Sequence, residues 1–330
     1  MTDPTRTTSR RLLWLAVLAL ALAAAFLFQQ LLLGRPLVRD DASLFVYPQF
    51  FAMAKAFKAG HLYLWDPQQW CGLSALATGQ SGGLYPLHFV LLRVLPWMTG
   101  LHVAYWLHLA LALLGMVWVA RNLGMGWKAA LVGGTLYAFS GYSAAHLVHY
   151  NFIAAAAHLP LTLAVLQTAL KRNEWRWWGL LGLEVALAFV VSHPQIFLMI
   201  VAVAGLWLVA GGWWSTPLSG RGYQPRQSRL PGLLAAALVA ALLLMPQLLP
   251  TLELARESRG VYAGQAMDAK SFISSYPFRW IDLPRVVLPD LFGTAEANVI
   301  GGGPAFHETC AFVGVGALLL GLVGLIAGWG

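Results

Sequence analysis

The stretch "LLWLAVLALALAAAFLFQQLLL", Leu12 to Leu33, decides the fold because it is long, apolar and free of charged residues. A transmembrane helix needs about 20 apolar residues, and the apolar part of a signal peptide is shorter. The preceding "MTDPTRTTSRR" resembles the basic flank of a signal peptide, but no small-residue cleavage site precedes Gly34. We therefore expect a retained first transmembrane helix.

The rest of the chain is equally apolar. Of its 330 residues, 59% are hydrophobic and 10% are charged. Such a chain has too little polar surface to stay dissolved, and further apolar runs follow the first. The sequence predicts an all-α polytopic membrane protein with about eight transmembrane helices. The predicted spans are 12–33, 100–120, 128–146, 152–170, 177–192, 195–213, 231–249 and 307–329.

The positions of lysine and arginine predict the orientation, because basic loops tend to stay in the cytoplasm. The short turns 146–151 and 192–195 contain neither residue. The segments that alternate with them, counted from the N-terminus, contain Arg6, Arg10, Arg11, Arg121, Lys128, Lys171, Arg172, Arg176, Arg221, Arg226 and Arg229. We expect a cytoplasmic N-terminus. The net charge of +8 then requires no nucleic-acid partner.

The predicted organisation is a single transmembrane domain, 1–330, with two long outer loops at 34–99 and 250–306. Most of the acidic residues fall in these loops. In the first loop, apolar residues recur at helical spacing from Pro48 to Ala59 and again from Pro86 to Leu95. This pattern predicts two amphipathic helices that lie at the membrane surface.

Six segments resemble the bacterial YfhO-type membrane glycosyltransferases of the GT-C superfamily, in this order along the chain. They are "DDASLFVYPQF", "LWDPQQWCGLSALATGQSGGLYPL", "FSGYSAAHLVHYNF", "SHPQIF", "PQLLPTLELARESRG" and "FHETCAFVGVGALLL". The resemblance implies an enzyme that moves a sugar from a polyprenyl-phosphate donor to a cell-envelope glycan, polymer or protein. The reaction is expected on the outer face of the cytoplasmic membrane. Family members continue through further spans, so the resemblance also implies a chain truncated at Gly330.

The expected catalytic residues are Asp40 and Asp41, directly outside the first span. The phosphate of such a donor leaves readily, so the reaction mainly needs a base for the acceptor hydroxyl, held at the membrane surface. Adjacent carboxylates repel each other, which can raise one pKa or let the pair hold a divalent metal. No other cofactor is indicated. Neither is an ATP site, because the chain has no P-loop pattern.

The leaving phosphate needs cationic or hydrogen-bonding groups. Arg256 and Arg259 are three residues apart after the seventh predicted span, and several histidines fall near the outer ends of helices. The expected substrate-binding residues are Arg256, Arg259, His146, His149, His193, Gln195, Tyr47, Gln49, Asp66 and Glu308.

Each of these residues also has a purely structural interpretation. Asp41 can cap the helix that follows it, and Asp66 can shape a turn before Pro67. The outer histidines can be hydrogen-bonded structural residues, and the arginines can extend to the interface from the helix end. Glu184 lies mid-span, where a charge is costly, so we expect it to be buried against a partner.

Two other functions remain open at this point. A transporter or flippase of lipid-linked saccharides would place ionisable groups near the middle of the membrane. A non-catalytic fragment would bind the lipid saccharide without needing the acids. Cys71 and Cys310 are both expected outside, where the compartment allows a disulfide, but two free buried thiols are the favoured expectation.

Overall fold

In a computed structural model of the chain, the described residues are 22, 25–26, 28–38, 41–69, 71–209, 229–262, 280–288, 291 and 315–327. The side chains of 258–262 and of several residues of 315–327 are excepted. Within these ranges the chain forms helices and no strand, and an isolated antiparallel bridge joins Asp66 to Leu73. The all-α prediction is confirmed for this part of the protein.

The described helices are numbered here in chain order. They are α1 (Gln29–Leu32), α2 (Tyr47–Lys58), α3 (Pro86–Val94), α4 (Trp97–Asn122), α5 (Trp127–Ala138), α6 (Gly141–Ala145), α7 (Tyr150–Arg172), α8 (Trp175–Val191), α9 (Pro194–Trp207), α10 (Leu230–Tyr262) and α11 (Val315–Ala327). A π-helical turn, Ala42–Val46, leads into α2, and a 3-10 helix covers Trp280–Val286.

Three helices within the described residues are long and apolar enough to cross a membrane. They are Trp97–Asn122, Tyr150–Arg172 and the part of α10 from Leu230 to Glu257. The described part of the chain is thus all-α, with helices suited to a membrane, and it does not reach the eight predicted spans.

The number of described helices long enough to cross a membrane is lower than predicted for local reasons. The predicted span 128–146 is broken at Ser140, whose hydroxyl caps α6 by accepting a hydrogen bond from the Ser143 N–H. Helix α8 has 17 residues, and α9 has 14, fewer than the about 20 that one crossing needs. Their predicted separation at the "SHPQ" turn is confirmed, because Pro194 begins a new helix. The spans 12–33 and 307–329 lie partly outside the described residues.

Close helix crossings hold the bundle together. Helix α7 packs between α4 and α8, and α8 packs against α10. Glycines stand at these crossings: a Cβ on Gly115 would lie 3.0 Å from the Leu161 nitrogen. A Cβ on Gly182 would lie 2.5 Å from the Ala236 carbonyl oxygen. Small residues allow such close backbone approach between apolar helices, where burial against lipid gives little driving force.

The two amphipathic helices of the first loop form where they were predicted, as α2 and α3. Most of the apolar side of α2 faces inward, however. Phe50 and Phe57 of α2 are fully buried in the main core, together with Met53. Phe51 is exposed. Helix α2 is therefore anchored on the bundle itself, which holds the preceding residues, including Asp41, against the ends of α6 and α7.

Candidate functional site

Four of the predicted site residues come together at one end of the bundle. Asp41 immediately precedes the π-helical turn, His146 ends α6, His149 precedes α7, and His193 precedes α9. Phe152 lies among the three histidines. These five residues form the Asp–His cluster.

Asp41 and His149 form the polar centre of the Asp–His cluster. The Oδ2 atom of Asp41 lies 3.5 Å from the Nε2 atom of His149. The Asp41 side chain is 56% exposed, whereas that of His149 is 10% exposed. The carboxylate therefore faces the solvent, and the imidazole lies behind it. A carboxylate placed in this way can accept a proton from an incoming hydroxyl and remain in contact with a polar group.

Aromatic contacts fix the other members of the Asp–His cluster. The Phe152 ring is stacked on His146, with centroids 4.9 Å apart, and lies 5.5 Å from His193. The rings of His146 and His149 are 5.4 Å apart. His193 also caps α9, because its Nδ1 accepts a hydrogen bond from the Gln195 N–H. The predicted Gln195 is thus held beside the cluster, with its side chain exposed.

Three predicted site residues of the first loop have structural contacts. The Tyr47 hydroxyl accepts a hydrogen bond from the Leu37 N–H, and burial raises its pKa. Asp66 is buried; it accepts hydrogen bonds from the Tyr63 hydroxyl at 2.8 Å and from the Gln68 N–H at 2.9 Å. These contacts favour the turn interpretation of Asp66 over substrate binding. Gln49 is buried and lines a small cavity next to His88.

The remaining predicted site residues are only partly described. Arg256 lines an open groove on α10 with Glu253 and Glu257. Gly79 of the first loop lies against both Thr251 and Pro194, so this end of α10 is on the side of the Asp–His cluster. The side chain of Arg259 and all of Asp40 and Glu308 lie outside the described residues. Among those described, no group of three or more histidine, cysteine or acidic residues is placed to hold a metal.

A second polar feature runs through the bundle, and the sequence did not point to most of its members. It consists of His88, Tyr150, His108, Tyr85, His158 and Glu184, and is called the His–Tyr chain. Glu184 is buried against a partner, as predicted, and that partner is His158 of α7. The sequence does contain a signal for two further members, His108 and His158. Both lie inside apolar spans, where an ionisable residue is rare.

Hydrogen-bond distances connect every member of the His–Tyr chain. The Tyr150 hydroxyl lies 2.8 Å from His88 Nε2 and 3.2 Å from His108 Nδ1. The Tyr85 hydroxyl lies 3.2 Å from His108 Nε2 and 3.1 Å from His158 Nε2. His158 Nδ1 lies 2.7 Å from Glu184 Oε1. Tyr85 and His88 come from the first loop, so the chain joins that loop to α4, α7 and α8.

A small cavity, with room on the scale of one water molecule, adjoins the outermost members of the His–Tyr chain. His88 and Tyr150 line it, together with Gln49, Ser81 and Asn151. Asn151 also donates a hydrogen bond to the Gln80 side chain. His149 and Tyr150 are consecutive residues, so the Asp–His cluster and the His–Tyr chain meet at the start of α7.

Gly82 allows His88 to reach its place in the chain. Its φ of +63° is disfavoured for L side chains, and a Cβ there would lie 2.6 Å from His88 Cε1. The Gly82 carbonyl accepts a hydrogen bond from His88 Nδ1 at 2.9 Å. Burial lowers the pKa of His88 to about 4, against a smaller opposing effect of that carbonyl.

The low pKa of His88 predicts that the fold loses stability in acid. Between about pH 6.5 and pH 4 the unfolded chain binds a proton at this histidine that the folded chain does not, so stability falls as pH falls. The expected loss is about 1 kcal/mol per pH unit within that window. Unfolding midpoints in detergent, measured from neutral to acidic pH, should show this slope. It should become shallower in His88→Gln but keep its wild-type value in His61→Gln, a change at an exposed histidine; equal slopes in all three proteins would contradict the prediction.

Compared with known proteins, the chain matches no protein-family model, no curated protein and no solved structure. Its function is therefore inferred from its own residues and their contacts.

Proposed function

We propose that the chain is a membrane glycosyltransferase of the GT-C type, similar to the YfhO-type enzymes, with Asp41 as its base. The observation that carries this proposal is the pairing of an exposed Asp41 carboxylate with the nearly buried His149. A general base must be exposed to the substrate and also be held in one position. Asp41 meets both requirements, because its side chain is exposed and because His149 and the anchored helix α2 hold it in place. A carboxylate that only capped a helix would accept a hydrogen bond from the helix start, and Asp41 makes no such bond.

In the proposed reaction, the acceptor hydroxyl oxygen attacks the anomeric carbon of a polyprenyl-phosphate sugar. The bond from that carbon to the phosphate oxygen breaks, and its electron pair leaves on the phosphate. The hydroxyl proton passes to the Asp41 carboxylate. His149 is a positioning residue, since it contacts Asp41 and not the reacting atoms.

The donor phosphate is proposed to bind on the side of the cluster formed by His146, His193 and Arg256. The position of the α10 end supports this arrangement, because Thr251 lies near Pro194. Arg259 would extend the same site one turn further along α10, and a guanidinium suits the two free phosphate oxygens. The acids Glu253 and Glu257 beside Arg256 would hold its side chain in place when no donor is bound.

The finer topology belongs to the same proposal. We place the chain in a bacterial cytoplasmic membrane, with the N-terminus in the cytoplasm and the Asp–His cluster on the outer face. The distribution of lysine and arginine supports this orientation. The cluster lies at the short uncharged turns before α7 and α9, on the side that the charge rule assigns to the outside.

The test uses the full chain in lipid nanodiscs with radiolabelled undecaprenyl-phosphate glucose, mannose, galactose and arabinose. Cell-envelope material from a bacterial membrane fraction serves as acceptor. We expect label from at least one donor to leave the lipid fraction and join the acceptor. Retention of all label on the lipid would contradict the proposal, and binding of the donor without transfer would assign the chain to the non-catalytic alternative.

A second candidate function is transport of a lipid-linked saccharide, and the His–Tyr chain is the observation that favours it. Buried chains of histidine and acidic residues between membrane helices are typical of proton-coupled transporters. The same label distinguishes the two functions in sealed vesicles. Transport would move the intact lipid-linked sugar across the membrane, whereas transfer would break its bond to phosphate.

A further inference from the structure

The hydrogen bonds of the His–Tyr chain have one direction, and the direction can be derived from its outer end. A backbone carbonyl only accepts hydrogen bonds, so His88 Nδ1 must donate to the Gly82 oxygen. The neutral ring then has a bare Nε2, which accepts from the Tyr150 hydroxyl. Tyr150 has no second hydrogen, and it therefore accepts from His108 Nδ1.

The directions of the hydrogen bonds from His108 inward to His158 follow from the same donor and acceptor rule. His108 Nδ1 also lies 2.8 Å from the Ala104 carbonyl oxygen, so this nitrogen carries a hydrogen, which the carbonyl and the Tyr150 hydroxyl at 3.2 Å share. His108 is fully buried without an acid in contact, so its ring is neutral and its Nε2 is bare. The Tyr85 hydroxyl donates to that Nε2. Tyr85 then has no hydrogen left for His158, whose Nε2 must supply its own.

This sequence of bonds leaves one additional proton at the inner end. With a hydrogen already on Nε2, His158 is neutral only if its Nδ1 is bare. That nitrogen lies 2.7 Å from Glu184 Oε1, so a proton must lie between the two atoms. Either His158 is an imidazolium beside a carboxylate or Glu184 is a carboxylic acid beside a neutral ring. In both forms the pair holds one proton more than a neutral histidine and a carboxylate would.

The surroundings isolate this pair from other charges. On α7 the nearest polar contact is Thr162, whose hydroxyl lies 3.5 Å from Glu184 Oε1. Helix α9 has no ionisable residue, and α10 has none from Leu230 to Leu252. Helix α4 contributes His108, and the first loop contributes Tyr85 and His88. Apart from the contact with Thr162, the hydrogen-bonded route out of the pair among the described residues is the His–Tyr chain.

We propose that His158 and Glu184 form a buried proton-binding site that exchanges its proton with the small cavity through the His–Tyr chain. Outward transfer moves the hydrogen of His158 Nε2 to Tyr85, that of Tyr85 to His108 Nε2, that of His108 Nδ1 to Tyr150, and that of Tyr150 to His88 Nε2. His158 becomes neutral beside the Glu184 carboxylate, and His88 becomes an imidazolium at the cavity. One proton has moved, and His108 Nδ1, having given up its hydrogen, no longer donates to the Ala104 carbonyl until the hydrogens return to their starting positions. The proposal does not depend on the glycosyltransferase function.

The bound proton is tested in the full chain, labelled with nitrogen-15 histidine and held in nanodiscs at mildly alkaline pH. Nuclear magnetic resonance reports the protonation of each ring nitrogen, and infrared spectroscopy reports a protonated carboxyl group. We expect Nδ1–H forms for His88 and His108, and a proton on either His158 Nδ1 or Glu184 that disappears in Glu184→Gln. Thr162→Val should retain it. A His158 with a bare Nε2 beside a carboxylate in the wild type would overturn the proposal.

Proton exchange tests the relay through a residue that does not touch the His158–Glu184 pair. In Tyr150→Phe the hydroxyl beyond His108 is lost, so exchange of the His158 ring hydrogens with deuterated water should slow by about tenfold or more, to the rate of local opening. Tyr105→Phe is the matched control, because Tyr105 is equally buried and packs on Tyr150, yet it donates to the Leu147 carbonyl outside the chain. Equal exchange rates in the wild type and both variants would refute the relay.

Discussion

Replacing Asp41 by asparagine is expected to lower sugar transfer by about 100-fold or more, the scale on which a positioned general base contributes. Asparagine keeps the size and polarity of the side chain but cannot take up the hydroxyl proton. The variant should insert and fold normally, since the side chain is more than half exposed. Initial rates with a saturating lipid donor, measured in nanodiscs, provide the comparison.

Two variants make the Asp41 result specific. Glu174→Gln removes another exposed carboxylate, which pairs with Arg176 at the start of α8, and should transfer at the wild-type rate. His149→Gln should lower kcat and leave the KM for the donor unchanged, because His149 positions the base and is not part of the proposed phosphate site. Near-normal transfer by Asp41→Asn would remove Asp41 from the mechanism and leave Asp40 and Glu308 as the next acids to change.

Replacing Gly182 by alanine is expected to destabilise the bundle by about 3 kcal/mol, the upper range for overpacking a tight core. The new methyl group would lie 2.5 Å from the Ala236 carbonyl oxygen and 2.7 Å from Val239 Cβ. Backbone cannot move aside as a flexible side chain can, so α8 and α10 must separate. The midpoint of thermal unfolding in detergent measures the change.

Gly179→Ala is the matched control for Gly182→Ala, three residues earlier on the same helix. A Cβ at Gly179 meets nothing within 4 Å. Alanine should therefore stabilise α8 by up to about 1 kcal/mol, the difference in helix propensity between the two residues. The two substitutions are chemically identical, but they should change the stability of the protein in opposite directions. A loss of stability in both, of similar size, would show that the crossing is looser than the backbone distances indicate.

The sequence predicted the helices well wherever apolar length alone defines them. The spans near 100–120, 152–170 and 231–249 correspond to α4, α7 and the first part of α10. It did not predict the break at Ser140, because hydropathy averages over a capping residue that ends one helix and starts another. Nor did it predict that Phe50 and Phe57 would face the bundle, since an amphipathic pattern gives a face but not its partner.

The candidate site was predictable in part, because hydropathy locates the turns between helices. Turn positions before α7 and α9 placed His146, His149 and His193 at one end of the bundle, and the contacts bring them together with Asp41. The His–Tyr chain required knowledge of rotation about each helix axis, which the sequence does not contain. Tyr85 and His88 were unpredictable members, because a loop residue reaches the core only through the turn at Gly82.

The six residues "HLVHYN", from His146 to Asn151, serve three features within less than two helical turns. His146 and His149 belong to the Asp–His cluster, Tyr150 belongs to the His–Tyr chain, and Asn151 lines the cavity. Inserting one residue there would rotate the rest of α7 by about 100°. Asp41, His88 and Gln80 would then each lose a partner at once. The length of this segment is therefore fixed, and homologous chains that retain these contacts should align through it without a gap.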